Sequence, residues 1–411
     1  MCGFIACKNT EIGTTEFIRR RGEDAFSALD TKGYLFYHSL LSLTGEFAPQ
    51  PFIDGKIFCV YNGEIYNQPY IKSDGECLIQ LYKKYGENFP KYLDGEFAIA
   101  LFDFENNTSV FSSDAFRSKP IYYNSDGAAS YPSGLKNLSQ KMPPNTIIIK
   151  NLKTNTEKQV TVHDFDFDHQ MKKTYNDWGK AFEVAILKRA KDKRVFLGLS
   201  SGYDSGIIHC VLKKYNLDYK VYTIIGGENL DIIKSRGGKI LSFTKQDFLY
   251  EKEFLSKTME DFVYNIYGTI RSIKDEEAAF GMSYIMREAR KDERRIYISG
   301  QGADEIISDY SPWSGQSDFL GKFPEKLKPW GNFYDNCQEA YLAKEEHVGG
   351  AHSVETRYPF LDLDVVQEFL WLHVDWKNKY YKAPIREYFI KNNYPFKEGE
   401  KLGFGPHLGL K

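Results

Sequence analysis

Short apolar and aromatic runs, separated by Gly, Pro and Asp, dominate the first 150 residues of the chain. The stretches GFIAC, YLFYHSLLSLTG, KIFCVYNGEIY, EFAIALFDF and NTIIIKNL have the β-branched and aromatic content typical of strands. The segment GECLIQLYKKYG differs, because its apolar residues recur at helical spacing and it closes at Gly86. This pattern predicts an α+β domain.

After a polar segment the pattern changes, and strands alternate with helices. The apolar runs VFLGLS, KVYTIIG, KILSF and RIYISG read as strands, and helical patterns cover 177–191, 204–215 and 276–291. Such alternation predicts a parallel sheet with helices on its faces and ligands at the carboxyl ends of its strands. We therefore expect three segments: a first domain over 1–160, a linker over 161–175 and an α/β domain over 176–411.

Composition and charge exclude several classes of function. The formal net charge of the 411 residues is −2 and no long basic stripe occurs, so nucleic acid is not an expected partner. No apolar run has membrane-spanning length, and the N-terminus lacks the features of a signal peptide. The six cysteines are scattered without CxxC spacing, which argues against a zinc site and against a disulfide framework. This cysteine usage fits a protein of the reducing cytoplasm. We expect a cytoplasmic protein that acts on small molecules.

Two strand-to-helix turns of the second half present Gly, Ser and Asp. In VFLGLSSGYDSGII a helix begins at Asp204-Ser205, where backbone N–H groups and the helix dipole suit an anion such as pyrophosphate. A simple turn with Asp and Ser as N-caps explains this stretch equally well. RIYISGQGADEIISDY repeats the architecture and opens a predicted helix at Asp304-Glu305. Asp204 and Asp304 then supply two carboxylates that could hold Mg²⁺ over a polyphosphate.

In order and spacing, several segments of the second half resemble the synthetase domain of asparagine synthetases. LSSGYDSGII is similar to the SGGxDS pyrophosphatase loop of ATP-dependent synthetases, and SGQGADE, YGTIRS and VETRYPFLD resemble the family's SGEGxDE, TTIRA and EARVPFLD. YYKAPIRE is similar to the family's lysine-bearing helix, which implies a catalytic Lys382. The resemblance implies Mg²⁺ ligation by Asp204 and Asp304. It implies ATP or pyrophosphate binding by Leu199, Ser200, Ser201, Gly202, Asp204, Ser205, Arg271, Ser299 and Gly300.

The first 125 residues resemble the class II glutamine amidotransferase domain, an N-terminal-nucleophile hydrolase with an αββα sandwich. MCGF, RGED, VYNGEIYN, SDGE and DGEFAIALFD carry the resemblance. In that family, removal of Met1 exposes a cysteine whose α-amine, with a pKa of about 8, can act as a general base beside the nucleophilic thiolate. The resemblance implies that Cys2 is the nucleophile and that Asn62 and the Gly63 N–H are the oxyanion donors. It also implies that glutamine is bound by Asp74, Glu64 and Arg21.

The two resemblances together imply a glutamine-dependent, asparagine synthetase-like amide-forming ligase. Cys2 would release ammonia from glutamine, while ATP and Mg²⁺ activate a carboxylate as an acyl-adenylate. Ammonia would then attack that carboxylate and give an amide, AMP, pyrophosphate and glutamate. Aspartate is the acceptor that the family implies, with asparagine as the product. The resemblance is compatible with a homodimer.

The glutamine-binding region departs from the family at one strand. FYHSLLSL aligns with the family's GHxRLS strand, and Leu40 stands where an arginine normally binds the α-carboxylate of glutamine. Leucine cannot replace a bidentate Arg–carboxylate pair. We expect Arg19, Arg20 or Arg21 to compensate, or glutamine to bind weakly.

The acceptor region departs as well. Gln301 replaces a glutamate, and a neutral amide cannot serve as a base or repel an anionic acceptor in the same way. Ser308-Asp309 replaces two glycines nearby. We predict that Gln301, Glu305 and Asp309 border the acceptor, and these changes leave the acceptor open.

Three alternatives follow from these departures. The first alternative is an enzyme that amidates another acid, such as a uronic acid, a cofactor precursor or a specialised metabolite. Intramolecular amide closure, as in β-lactam-forming relatives, is less favoured because those relatives tend to lose the cysteine that is present here as Cys2. A non-catalytic binding protein is disfavoured by the intact set Cys2, Asn62, Asp74, Asp204, Asp304 and Lys382.

Overall fold

The computed structural model describes residues 1–191, 194–310 and 317–398, which group into two compact units. Unit 1 comprises Met1–Asp164 together with two later segments, Thr258–Glu260 and Gly349–Val354. Unit 2 comprises Phe165–Lys257, Asp261–Val348 and the chain from Glu355 onward. The last residues of the predicted second domain, 399–411, lie outside the described residues.

Unit 1 consists mainly of strands. Its strands are β1 (Gly3–Lys8), β2 (Ala25–Thr31), β3 (Tyr34–Leu40), β4 (Phe52–Asp54), β5 (Ile57–Ile65), β6 (Gly95–Asp103), β7 (Thr108–Ser113), β8 (Tyr122–Tyr123), β9 (Gly127–Ala129), β10 (Gln140–Lys141), β11 (Thr146–Asn151) and β12 (Glu157–Thr161). Its helices are α1 (Glu16–Arg21) and α2 (Cys77–Tyr85).

These strands form two antiparallel sheets. The first has the order β10-β8-β9-β1-β3-β2, and the second has the order β12-β11-β7-β6-β5-β4. β1 pairs with β3 from Gly3↔Ser39 to Lys8↔Tyr34, so the strand next to Cys2 lies inside its sheet, between β9 and β3. Chemistry at the start of β1 is therefore held on a rigid element.

The sequence pattern of unit 1 buries both faces of each sheet. Phe36 of the first sheet packs edge-on against Phe102 of the second, with ring centroids 5.4 Å apart, in a core shared by the two sheets. Leu78 of α2 covers the outer face of the second sheet, and Ile18 of α1 packs with Ile5 on the outer face of the first. The predicted αββα sandwich is confirmed.

Unit 2 alternates strands with helices. Its strands are β13 (Val195–Gly198), β14 (Tyr219–Ile224), β15 (Lys239–Leu241), β16 (Val263–Ile266), β17 (Thr269–Ser272), β18 (Ile296–Ile298) and β19 (Glu355–Arg357). Its helices are α3 (Asn176–Arg189), α4 (Tyr203–Lys214), α5 (Leu230–Arg236), α6 (Lys245–Thr258), α7 (Glu277–Lys291), α8 (Gly331–Tyr334), α9 (Asn336–Ala351), α10 (Leu363–Leu370), α11 (Val374–Lys377) and α12 (Ala383–Lys391).

The main sheet of unit 2 has the order β15-β14-β13-β18-β19, and every neighbouring pair is parallel. The predicted parallel sheet is confirmed, and β16 and β17 form a separate antiparallel hairpin. Searched over the described residues, the helices include none with the length and apolarity needed to cross a membrane.

The helix predicted to open at Asp304-Glu305 differs from the expectation. Residues Ala303–Ser308 form a single π-helical turn that ends at Asp309, whose φ of +39° is left-handed. Because π-helical turns inside a fold frequently mark functional sites, this segment is a structural signal that a helical sequence pattern does not reveal.

Candidate active sites

Cys2 is held by the backbone of Leu41 and by the side chain of Arg21, two neighbours within unit 1. The N–H of Leu41 donates to its sulfur at 3.4 Å, and Nε of Arg21 donates to its carbonyl oxygen at 2.8 Å. A Cβ at Gly3 would lie 2.8 Å from Ile18, so glycine is required where β1 passes α1. The sulfur in turn lies 3.8 Å from the carbonyl oxygen of Leu41, to which the thiol donates, so Leu41 contacts it with both backbone groups.

Arg21, a predicted glutamine ligand, lies behind the nucleophile. It is fully buried, and its Nη1 donates to the hydroxyl of Tyr131 at 2.6 Å while its guanidinium carbon stacks 4.9 Å from that ring. These contacts support a role in positioning Cys2 rather than in holding the glutamine α-carboxylate. Leu40, at the end of β3, is itself buried.

The predicted oxyanion donors lie together on β5. Asn62 is fully buried, and neither its Nδ2 nor its Oδ1 has a hydrogen-bond partner within the described part of the chain. Gly63 has φ +146°, and a Cβ there would lie 1.9 Å from the carbonyl oxygen of Glu96 on β6. A buried amide without a partner is costly, so the Asn62 side chain is available to a ligand.

A buried tyrosine connects the remaining predicted residues of unit 1. Asp74 accepts one hydrogen bond from the Tyr61 hydroxyl and another from the N–H of Ile65 at 2.7 Å. Burial raises the pKa of Tyr61 well above its usual value, and the negative charges of Asp74, Glu64 and Cys2 raise it further. The structure therefore brings these three predicted residues together around Tyr61, which the sequence motifs did not indicate.

The cavity of unit 2 has a volume of about 940 Å³ and opens at the carboxyl ends of β13 and β18. Most of the predicted nucleotide and acceptor residues line it: Ser200, Gly202, Asp204, Ser205, Arg271, Gly300, Gln301, Asp304, Glu305 and Lys382. Four predicted residues are not among the lining residues: Leu199, Ser201, Ser299 and Asp309.

The loop that joins β13 to α4 is closed by its own serines. The hydroxyl of Ser205 accepts the N–H of Ser200 at 2.9 Å, and the hydroxyl of Ser200 accepts the N–H of Gly202 at 3.1 Å. Ser201 turns away, because its N–H and hydroxyl both donate to Glu228 at 2.6 Å. Its side chain therefore anchors the loop rather than facing the cavity.

Arg236 at the end of α5 braces the same loop from outside the cavity. Its Nη1 donates to the carbonyl oxygens of Ser200 at 2.6 Å and Gly202 at 2.9 Å. Arg236 is almost fully buried, and sequence motifs gave no indication of it. Arg236 therefore fixes the orientation of two carbonyl groups of the loop in this structure.

Lys382 joins the two predicted magnesium ligands. Its Nζ lies 2.5 Å from Oδ1 of Asp204 and 2.9 Å from Oδ1 of Asp304, and the Tyr381 hydroxyl donates to Asp304 at 3.2 Å. Burial alone would lower the pKa of Lys382, but the two carboxylates hold it well above its usual value. Lys382 itself has φ +46° and precedes α12 rather than lying within a helix, as the motif suggested.

The pair Asp204 and Asp304 fits the donor set of a nucleotide-bound magnesium ion. Their Oδ1 atoms converge on a single cationic nitrogen, so both are directed at one position in the cavity. Over the residues that the structure describes, no group of three or more His, Cys, Asp or Glu side chains could hold a metal. Mg²⁺ bound with ATP usually takes one or two protein carboxylates, and phosphate and water oxygens complete its coordination.

Glu305, predicted at the acceptor, is largely committed to the fold. Its carboxylate accepts the N–H of Gly302 at 3.0 Å and the hydroxyl of Tyr310. Burial raises the pKa of Glu305 to about 6, and the neighbouring charge of Asp304 acts in the same direction. Glu305 lines the cavity, but its oxygens stabilise the π-helical turn.

Asp309 does not border the cavity, contrary to the prediction from the motif. It is fully buried and accepts hydrogen bonds from Nδ2 of Asn332 at 2.9 Å and from the N–H of Phe319 at 2.7 Å. Its left-handed backbone turns the side chain into the fold, where the carboxylate secures the segment after residue 316. Of the three residues predicted at the acceptor, Gln301 and Glu305 line the cavity and Asp309 is not among its lining residues.

Comparisons with known proteins divide the chain in the same order as the two sites. A model of the glutamine amidotransferase domain matches residues 1–176, and a model of asparagine synthase matches residues 178–345. A glutamine-hydrolysing asparagine synthetase of Sandersonia aurantiaca is 26% identical over 435 aligned residues, covering 92% of this chain and 79% of its own. Asparagine synthetase 2 of Oryza sativa subsp. japonica is 25% identical and covers 99% and 75%. Among solved structures, glutamine phosphoribosylpyrophosphate amidotransferase of B. subtilis has a TM-score of 0.33 at 10% identity, covering 90% and 92%, which supports no conclusion.

Proposed function

Because the chain belongs to the family of glutamine-hydrolysing asparagine synthetases, we propose that unit 1 releases ammonia from glutamine and unit 2 uses it to amidate a carboxylate activated by ATP. The observation that carries the proposal is the convergence of Lys382, Asp204 and Asp304 beside the loop after β13. Such a site suits the chemistry of an ATP-dependent carbon–nitrogen ligase.

In unit 1, the Cys2 thiolate attacks the side-chain amide carbon of glutamine. Removal of Met1 supplies a free α-amine, which accepts the thiol proton and passes it to the departing nitrogen. The Asn62 amide and the Gly63 N–H stabilise the oxyanion that forms, a role supported by the unpartnered state of Asn62. Ammonia leaves, and water hydrolyses the thioester to glutamate.

In unit 2, an oxygen of the acceptor carboxylate attacks the α-phosphorus of ATP, which gives an acyl-adenylate and pyrophosphate. The serine-closed loop and the N-terminus of α4 bind the pyrophosphate, and Lys382 and Arg271 neutralise its developing charge. Asp204 and Asp304 would hold Mg²⁺, which neutralises phosphate charge when bound. Ammonia then attacks the acyl carbon and AMP leaves.

Aspartate is the first candidate acceptor, with asparagine as the product. Gln301 favours a second candidate, because it places a neutral amide in the cavity where the family carries a carboxylate. That second candidate is another carboxylic acid, such as a uronic acid, a cofactor precursor or a specialised metabolite. Both candidates use the same activation chemistry.

A screen of carboxylic acids tests the proposal. The full chain is incubated with ATP, Mg²⁺, glutamine and one acid at a time, and pyrophosphate, AMP and the mass of the amide are measured. We expect one acid to trigger pyrophosphate release, and Lys382→Met to suppress it with every acid. An inert aspartate beside another active acid would select the second candidate, whereas no pyrophosphate with any acid and no glutaminase activity would refute the proposal.

A further inference from the structure

Glu345 on α9 is a lining residue of the cavity of unit 2 and has one uncommitted carboxyl oxygen. The residue lines the cavity and is 7% exposed, yet its Oε2 has no hydrogen-bond partner in the described ranges. Gln301 lines the same cavity, and its side chain interacts with Glu305. A buried polar group without a partner is costly, so the free oxygen of Glu345 is suited to meet a ligand.

The other buried or half-buried carboxyls of the cavity are engaged by the protein. Asp204 and Asp304 contact Lys382, and Glu276 pairs with Lys344. Glu305 accepts hydrogen bonds from Gly302 and Tyr310, as described above. Glu345 differs from these carboxyls in having a buried oxygen without a hydrogen-bond partner among the described residues.

The surroundings of Glu345 set its proton affinity. Burial raises the pKa of Glu345 to about 8, a hydrogen bond from Ser299 and the charge of Lys344 oppose this, and two carboxylates reinforce it. A carboxyl that titrates near neutral pH can both accept and return a proton during turnover. The polar and ionisable groups that face it are Tyr297 and Ser299 beside β18, Glu305 of the π-helical turn, and Lys344 and Glu346 of α9.

We propose that Glu345 is the general base of the amide-forming step, an inference that rests on the proposed function. The nitrogen lone pair forms the new C–N bond at the acyl carbon, which leaves a positive charge on nitrogen. A proton passes from that nitrogen to the Glu345 carboxylate. The bond between the acyl carbon and the phosphate oxygen then breaks, and AMP leaves with the electron pair. Gln301 cannot accept this proton, because an amide is not basic.

Glu345→Gln separates this role from a structural one. Isotope exchange between pyrophosphate and ATP reports the activation step, with L-aspartate as the first acid and the active acid of the screen as the second. We expect exchange to stay within about threefold of wild type, and amide formation from ammonium chloride to fall about 10²–10⁴-fold. Hydroxylamine should restore turnover, since its protonated adduct is more acidic and can release its proton to water.

The pH profile adds a readout that packing would not change. In wild type, amide formation should rise with pH until Glu345 is deprotonated, near pH 8, and this limb should be missing in the Gln variant. Glu345→Asp retains a carboxylate at a shorter reach, so it should be slower but keep the limb. Glu346→Gln is the matched control, because that neighbour contacts Tyr358 rather than the cavity. It should keep the maximal rate of amide formation and the limb, and the limb should move to lower pH, because the charge of Glu346 raises the pKa of Glu345.

Each outcome bears on a definite claim. Equal loss of exchange and amide formation in the Gln variant, or full retention of both, would overturn the role of Glu345 while the proposed function stands. If the Gln variant folds poorly, an Asp variant without the pH limb overturns it instead. If wild-type protein shows no isotope exchange between pyrophosphate and ATP with any acid, the proposed function is wrong, and the role of Glu345 is wrong with it.

Discussion

At the scale of single residues, the two candidate sites contain buried polar groups that have no hydrogen-bond partner among the residues that the structure describes. Asn62 in unit 1 and Glu345 in unit 2 both have such atoms. Elsewhere in unit 2 the buried acid Asp362 is paired with Arg189 at 2.7 Å, whereas the side-chain amide of Gln338, outside the cavity, also has no hydrogen-bond partner among the described residues. An unpaired buried group costs about 1–3 kcal/mol. Its retention beside predicted catalytic residues supports a function in binding or catalysis.

Asn62→Ala should reduce glutamine hydrolysis with little effect on stability. Loss of one oxyanion donor typically lowers kcat about 10²–10³-fold, and no described hydrogen bond of the side chain is lost. Glutaminase kinetics and thermal denaturation measure the two effects. Asn67→Ala is the control, because Asn67 bonds Tyr92 and Asp94 and should lose stability but keep kcat. A normal kcat for Asn62→Ala would contradict the oxyanion role.

The sequence motifs identified residues that contact one another and that each occur in a recognisable segment. They did not identify residues that reach the site only through the packing of distant elements. Asp204, Asp304 and Lys382 each occur in a recognisable segment, and the fold brings them within hydrogen-bonding distance. Asp309 also occurs in a motif, but its left-handed backbone directs the carboxylate into the fold. Glu345 belongs to no motif, and only the packing of α9 reveals that it reaches the cavity.

At the scale of elements, the loop that joins β13 to α4 is held by a helix that the sequence pattern did not predict, α5. The pattern gave 204–215 for the helix observed as Tyr203–Lys214, because its apolar residues recur regularly. α5 has seven residues, too few for its periodicity to be read, yet it places Arg236 against the loop carbonyls. The strength of a local pattern therefore decides which elements a sequence predicts.

Arg236→Met should weaken ATP binding more than it slows the chemical step. Two loop carbonyls lose their donor, which costs about 1–1.5 kcal/mol and would raise the KM for ATP about tenfold, while kcat at saturating ATP falls less. Steady-state kinetics with varied ATP measure the split. Arg287→Met serves as the control, since Arg287 pairs with Asp247 and Glu251 and does not line the cavity. An unchanged KM for ATP would show that the loop holds its shape without Arg236.

At the scale of the whole molecule, each unit has its own sheets and its own candidate chemistry. Unit 1 is built on two antiparallel sheets, and unit 2 on a parallel sheet. The alternation of strands and helices predicted the second architecture, and the strand-rich first half predicted the first. Two segments of chain that group with unit 1, Thr258–Glu260 and Gly349–Val354, could not be predicted, because no local pattern marks them.

Two substitutions should separate the two half-reactions. Cys2→Ala should lower glutamine-dependent amide formation about a thousandfold or more, since the nucleophile is lost, and leave ammonium-dependent synthesis intact. Asp204→Asn should suppress pyrophosphate release about a hundredfold or more and leave glutaminase activity measurable. Parallel assays of glutamate, pyrophosphate and amide test both. Loss of ammonium-dependent synthesis in the Cys2 variant would contradict the assignment of separate sites.

The strand that carries the nucleophile has a consequence for the order of events during synthesis. β1 lies between β3 and β9, and Met1 is fully buried once unit 1 has formed. The pairing with β9 must wait until residues Gly127–Ala129 leave the ribosome, which at about 5–20 residues per second takes about 6–25 s. If Cys2 acts as the proposed nucleophile, an aminopeptidase has to remove Met1 within that interval, before the pairing with β9 encloses the start of the chain.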